Sequence, residues 1–116
     1  MTKPLGPYTP AVRAGDFIFV SGQLGVTDGA LVGGGVAGQT ERAVANLATQ
    51  LESMGASLTD VVKTTCFLVD MDTFVTFNDA YVTAFGRHRP ARSTIAVRAL
   101  PIGAVVEIEA VAYSPA

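Results

Sequence analysis

The chain has 116 residues, 49% of them hydrophobic and only 16% charged, with a net charge of −2. Its length predicts a single domain over 1–116, and its acidic balance argues against a general nucleic-acid binder, which needs clustered Lys and Arg for phosphate contacts. Cys66, the sole cysteine, excludes an internal disulfide and fits a reducing, cytoplasmic compartment.

Met1-Thr2-Lys3-Pro4-Leu5-Gly6-Pro7 carries neither the apolar stretch nor the cleavage pattern of an export signal. Apolar runs such as Phe17-Ile18-Phe19-Val20 fall far short of the ~20 residues of a membrane helix. Mean hydropathy is nevertheless +0.39, more apolar material than a small core readily hides. Without a membrane span, that excess points to a subunit interface, the alternative being an unusually apolar monomer.

Along the chain, Ala11 to Ala14 reads as a short extended stretch turned at Gly15-Asp16 into a strand over Phe17 to Ser21. The glycine-rich segment after Gly22 predicts a hairpin with Leu31-Val32 as a short strand. From Val36 to Met54 the spacing turns helical, with Val44, Leu47, Leu51 and Met54 on one face. Glu41, Arg42, Gln50 and Glu52 form the polar face, and Gly55 supplies the stop.

Val61 to Val69 is rich in β-branched residues and reads as a strand, with Cys66 inside it as a small buried hydrophobe. Asp70 or Asp72 can cap a second helix whose Phe74, Phe77, Tyr81 and Phe85 form an aromatic stripe suited to core packing, with Gly86 ending it. Two further strands, Arg92 to Arg98 and Ala104 to Tyr113, are expected to pair as a hairpin across Leu100-Pro101-Ile102-Gly103. The order β-β-(β)-α-β-α-β-β gives an α+β protein, a mixed sheet with two helices on one face and the other face left for a partner.

One His and one Cys cannot assemble a Cys₂His₂ or His₃ metal site within the chain. Gly33-Gly34-Gly35 lacks the Gly-Lys-Ser/Thr of a phosphate loop. No G-x-S-x-G elbow or dinucleotide fingerprint is present, and His88 has no evident nucleophile beside it. The basic run Arg87-His88-Arg89-Pro90-Ala91-Arg92 fits a solvated loop better than an RNA footprint. A cofactor-free, metal-free chemistry is what survives.

In the expected final hairpin, Arg92, Thr94, Ala96 and Arg98 share one face, and Glu107, Glu109 and Val111 another. A turn centred near Pro101-Ile102 sets Thr94 opposite Glu109 with Arg92 diagonal to it, a register that a one-residue slip would spoil. Two readings stay open. Arg92–Glu109 and Arg98–Glu107 are plain cross-strand ion pairs; or Arg92 is a planar fork for a substrate carboxylate and Glu109 a general base that holds water.

Several segments, collinear over almost the whole chain, resemble the RidA (YjgF) family. They are Gly6-Pro7-Tyr8, Val20-Ser21-Gly22-Gln23, Asp60-Val61-Val62-Lys63-Thr64-Thr65 and Phe74-Val75-Thr76-Phe77-Asn78-Asp79-Ala80-Tyr81. Arg89-Pro90-Ala91-Arg92-Ser93 and Val106-Glu107-Ile108-Glu109-Ala110-Val111-Ala112 complete the set.

The resemblance implies a chorismate-mutase-like α+β fold, a homotrimer with clefts between neighbouring subunits, and no cofactor. It implies hydrolytic deamination of 2-imino acids or their enamine tautomers, such as 2-aminoacrylate, to 2-keto acids and ammonia. Arg92 matches the arginine that grips the substrate carboxylate and Glu109 the glutamate that orients water. Tyr8, Ser21 and Asn78 match cleft residues, with backbone N–H groups near Gly22 and Thr94 completing the anion site, and Tyr8 a proton relay or a plain hydrogen bond. Because the clefts lie between subunits, these residues need not come from one chain.

This chain departs from the pattern at Thr94, where many members carry cysteine, at Ile102 in the Leu-Pro-Lys connection, and at Pro10. A non-catalytic module that senses 2-keto acids is the alternative function, and a ribonuclease or translation inhibitor the third.

Overall fold

The computed structural model describes residues 4–116, so the expectation about an export signal at Met1-Thr2-Lys3 falls outside the described residues in that part. Strand β1 (Ala11–Ala14) turns through Gly15, at φ 61°, into β2 (Phe17–Leu24), and the two pair antiparallel. A positive φ there suits glycine, which has no Cβ to clash. The short strands β3 (Val26–Thr27) and β4 (Ala30–Leu31) make the small hairpin expected in the glycine-rich segment. Helix α1 (Gly35–Ser53), strand β5 (Val61–Leu68), helix α2 (Phe74–Phe85) and strands β6 (Ala91–Ala96) and β7 (Val106–Tyr113) complete the chain.

The main sheet runs β1-β2-β7-β5-β6. β5 and β6 are parallel, because α2 carries the chain back over the sheet between them; β7 is antiparallel to both β2 and β5. This mixed sheet with two helices on one side matches the expected α+β class. The expected final hairpin does not form. β6 lies at the sheet edge against β5, and β7 crosses to the middle, between β2 and β5.

Alternation along the strands explains the core. In β7, Val106, Ile108, Ala110 and Ala112 point to the helices and are buried, whereas Glu107, Glu109, Val111 and Tyr113 point the other way. Ala43, Val44, Leu47 and Leu51 of α1 and Phe77, Tyr81 and Phe85 of α2 close over the first set. Burying a side chain of Leu or Phe size contributes about 1.5–3 kcal/mol, so this layer holds the helices down. Cys66 is fully buried within it, as expected.

The opposite face has no cover among the described residues. Phe19 is 48%, Tyr113 46% and Ile95 48% exposed on it. Asp70 accepts from the N–H of Asp72 (2.9 Å), so it caps a single 3₁₀ turn, Met71–Thr73, that feeds α2. Gln50, expected on the polar face of α1, is instead only 5% exposed. Among the described residues no helix is long and apolar enough to cross a membrane.

Candidate functional site

The candidate residues fall into two groups on opposite sides of the sheet. Arg92 and Thr94 pair with Thr64 and Cys66 of β5, whose side chains are buried under the helices, so both project to the helix side. The Arg92 guanidinium carbon stands 4.9 Å from the ring centroid of Tyr81, 5.3 Å from that of Phe77 and 5.6 Å from that of Phe74. The aromatic stripe of α2 is therefore core packing and also the platform of a cation, a favourable contact for an aromatic face.

Asn78 follows Phe74 by four residues and precedes Tyr81 by three, which puts it on the same stripe. Asn78 Oδ1 and Thr94 Oγ1 are both buried without a hydrogen-bond partner among the described residues. Unpaired buried acceptors are rare in folded chains and mark places where another group is expected to arrive. Arg92 itself forms no ion pair and no hydrogen bond among the described residues, so its planar fork of donors is open.

The second group lies around the N-terminal arm. The Ser21 hydroxyl donates to the Thr9 carbonyl (2.7 Å), and the Ser21 N–H donates to the Pro10 carbonyl (2.9 Å), tying the arm to β2. The Tyr8 hydroxyl accepts from the Leu5 N–H (3.2 Å). β2 carries a bulge between Val20 and Gln23, which presses Gly22 against the Glu107 side chain. A Cβ at Gly22 would fall 2.6 Å from Glu107 Cδ, so a side chain there would displace that carboxylate. Tyr8, Gly22 and Glu107 line one cleft of about 320 Å³.

Here the expected geometry needs correction. Glu109 is paired with Thr65 of β5, and Thr94 with Cys66, so Thr94 does not oppose Glu109. Arg92 and Glu109 point to opposite faces, and neither Arg92–Glu109 nor Arg98–Glu107 is an ion pair among the described residues. The cause is topological: the segment between β6 and β7 leads out of the edge strand to the sheet centre rather than into a hairpin.

The carboxylate that meets Tyr8 and Gly22 is Glu107, one pleat along from Glu109. Sequence alternation had put both on one face; the β2 bulge that selects between them left no sequence signal. Burial, and then the neighbouring Glu109 charge, push the Glu107 carboxyl above its ordinary range, which suits a general base.

His88 Nε2 lies 2.6 Å from the Val61 carbonyl oxygen, a structural contact that ties the loop before β6 to β5. Burial pushes the Cys66 thiol up to about 11, so it stays protonated beneath Thr94. No cluster of His, Cys, Asp and Glu able to hold a metal occurs among the described residues.

The chain is a small α+β protein in which an edge strand sets Arg92 over an aromatic helix and a separate cleft at the β2 bulge holds Glu107. The chain belongs to the endoribonuclease L-PSP (RidA/YjgF) family, whose sequence model matches residues 1–114. It is 44% identical over 110 residues to a mouse 2-iminobutanoate/2-iminopropanoate deaminase, covering 93% of this chain and 80% of that one. It is 43% identical to a RutC family protein of Pyrococcus abyssi, covering 96% and 89%. The crystal structure of RidA from the Antarctic bacterium Psychrobacter superposes with a TM-score of 0.91 at 37% identity, covering 96% of this chain and 91% of that one.

Proposed function

We propose that this chain hydrolyses 2-imino acids and their enamine tautomers to 2-keto acids and ammonia, at a site completed between two copies. One copy supplies Arg92, Thr94 and Asn78; the other supplies Tyr8, Ser21, Gly22 and Glu107. The single observation that carries the reading is Arg92, a cation over aromatic faces with no anion of its own among the described residues. Identity to named imine deaminases supports the reaction class.

The Arg92 fork takes the substrate carboxylate through paired N–H···O bonds. Thr94 and Asn78, with buried unsatisfied oxygens, accept from the substrate side. Glu107 holds the water and takes its proton as the oxygen adds to the imine carbon. That proton then goes to nitrogen, and the carbinolamine collapses, releasing ammonia and leaving a keto group. Tyr8 hydrogen-bonds the substrate in this cleft. Glu109, the base expected from sequence, has a supporting role: its charge raises Glu107. The reaction needs no cofactor, since positioning and proton transfer suffice for a step that water already performs slowly.

The uncovered sheet face supports three copies packed face to face as a homotrimer, because Phe19, Tyr113 and Ile95 otherwise remain in water. The single buried thiol supports a reducing, cytoplasmic setting. The family's description mentions an endoribonuclease, but a net charge of −2 and a lone His88 engaged with a backbone carbonyl favour imine hydrolysis over RNA cleavage.

The test couples the purified protein to a dehydratase that releases 2-aminoacrylate, with semicarbazide trapping the keto product. Product forms faster than in the enzyme-free control, and Arg92→Ala returns it to background. Unchanged turnover in Arg92→Ala sinks the assignment. Saturable 2-keto-acid binding with no acceleration makes the chain a sensor instead.

A further inference from the structure

A cavity of about 550 Å³, within the range of small-molecule sites, opens between the N-terminal arm, the β3–β4 hairpin and α1. Leu24, Val26 and Ile102 form its apolar wall. Its polar wall is one stripe of α1, where Arg42, Asn46 and Gln50 recur every fourth residue.

Asn46 is fixed in place. Its Nδ2 donates to the carbonyls of Leu24 (2.9 Å) and Val26 (3.0 Å), and its Oδ1 accepts from Arg42 Nε (3.1 Å). Only the Nε edge of Arg42 is thereby used. The terminal guanidinium nitrogens make no hydrogen bond or ion pair among the described residues, although Asp28 lines the same cavity. One turn further along, Gln50 is 5% exposed and lines the same cavity. A held guanidinium with a free edge and the Gln50 amide thus face one space with apolar walls.

We propose that this cavity is a second ligand site, for a monocarboxylate with a compact apolar tail. The carboxylate bridges the Arg42 terminal nitrogens and the Gln50 amide, and the tail lies against Leu24, Val26 and Ile102. Exposed Asp28 opposes a second negative charge, so a dicarboxylate is disfavoured. The cavity shares Tyr8 and Gly22 with the smaller cleft that holds Glu107, but Arg92 takes no part in it. The inference therefore stands whether or not the chain is a deaminase.

Titration of the full chain with hexanoate, followed by calorimetry and by backbone amide NMR shifts, tests it. Saturable binding is expected, with shifts at Val26, Arg42 and Gln50, and it persists in Arg92→Ala. Arg42→Gln weakens it roughly tenfold or more, the loss of a charge-assisted contact. Gln50→Leu, which fills the position with an apolar side chain and spares the fold, also weakens it. Adipate, the matching dicarboxylate, binds less tightly than hexanoate. Binding that disappears in Arg92→Ala yet survives Arg42→Gln overturns the proposal, as does the absence of saturable binding.

Discussion

The hydroxyls of Tyr81 and Thr64 meet 2.7 Å apart in the buried layer between α2 and β5, and the same tyrosine ring lies 4.9 Å beneath the Arg92 guanidinium carbon. Burial raises the Tyr81 pKa, so the phenol remains a neutral hydrogen-bonding group under the cation. Tyr81→Phe leaves the Thr64 hydroxyl buried with its main partner gone. Urea denaturation is expected to record a loss of about 1–3 kcal/mol. Thr64→Val added to Tyr81→Phe recovers part of it, because no polar group is then stranded; additive losses would instead mean that the two hydroxyls act independently.

Gly22 makes a second, sterically clean test. A methyl group there competes for the space of the Glu107 carboxylate. Gly22→Ala therefore displaces Glu107 and lowers kcat for 2-aminoacrylate hydrolysis, while Arg92, on the other side of the sheet, keeps its affinity for 2-keto acids. An alanine variant with full turnover would remove Glu107 from the reaction.

The raised Glu107 pKa has a signed consequence for stability. The fold holds this proton more tightly than the unfolded chain does. The resulting stabilisation is fully present below the ordinary carboxylate value of 4.5 and is lost as pH rises through the raised value. Glu107→Gln escapes that loss, so its denaturation midpoint exceeds that of the parent at neutral pH and the gap closes in acid. Turnover moves the opposite way, abolished in Glu107→Gln and rising in the parent as Glu107 ionises. Glu109→Gln retains turnover but shifts the acid limb to lower pH, because a neighbouring negative charge has gone. If Glu109→Gln is the inactive variant, the water belongs to Glu109.

Phe19 pairs with Val12 and Val111 in the middle of the uncovered face. Phe19→Lys plants a charge where three copies are proposed to meet. Light scattering is expected to give a trimer mass for the parent and a monomer for the variant, with turnover lost because each proposed site draws on two copies. A parent that stays monomeric at micromolar concentration would refute the assembly.

Elements governed by local periodicity were legible in the residues. The three- and four-residue spacing of Val44, Leu47 and Leu51 forecast α1, and the β-branched run around Cys66 forecast β5. Pairing was another matter. Two strands with a short connection resemble a hairpin, and nothing in Leu100-Pro101-Ile102-Gly103 reveals that β7 is drawn between β2 and β5. The whole sheet decides that by burying Val106, Ile108, Ala110 and Ala112 at once.

The same limit governed the candidate site. Arg92, Thr94 and Asn78 were readable as motif residues, but the choice between Glu107 and Glu109 depends on one extra residue in β2. Gln50 looked like a polar-face residue by spacing, because the β3–β4 hairpin and the N-terminal arm that close over that side of α1 have no periodic signature.

The central place of β7 has a consequence for biosynthesis. The last strand of the chain occupies the middle of the sheet, so a ribosome-bound chain cannot close its core until Tyr113 has left the exit tunnel. Until then β2 and β5 each expose a long unpaired edge, the kind of surface that chaperones protect and neighbouring nascent chains capture. Truncation into β7 itself is thus expected to yield an insoluble product rather than a weakened protein.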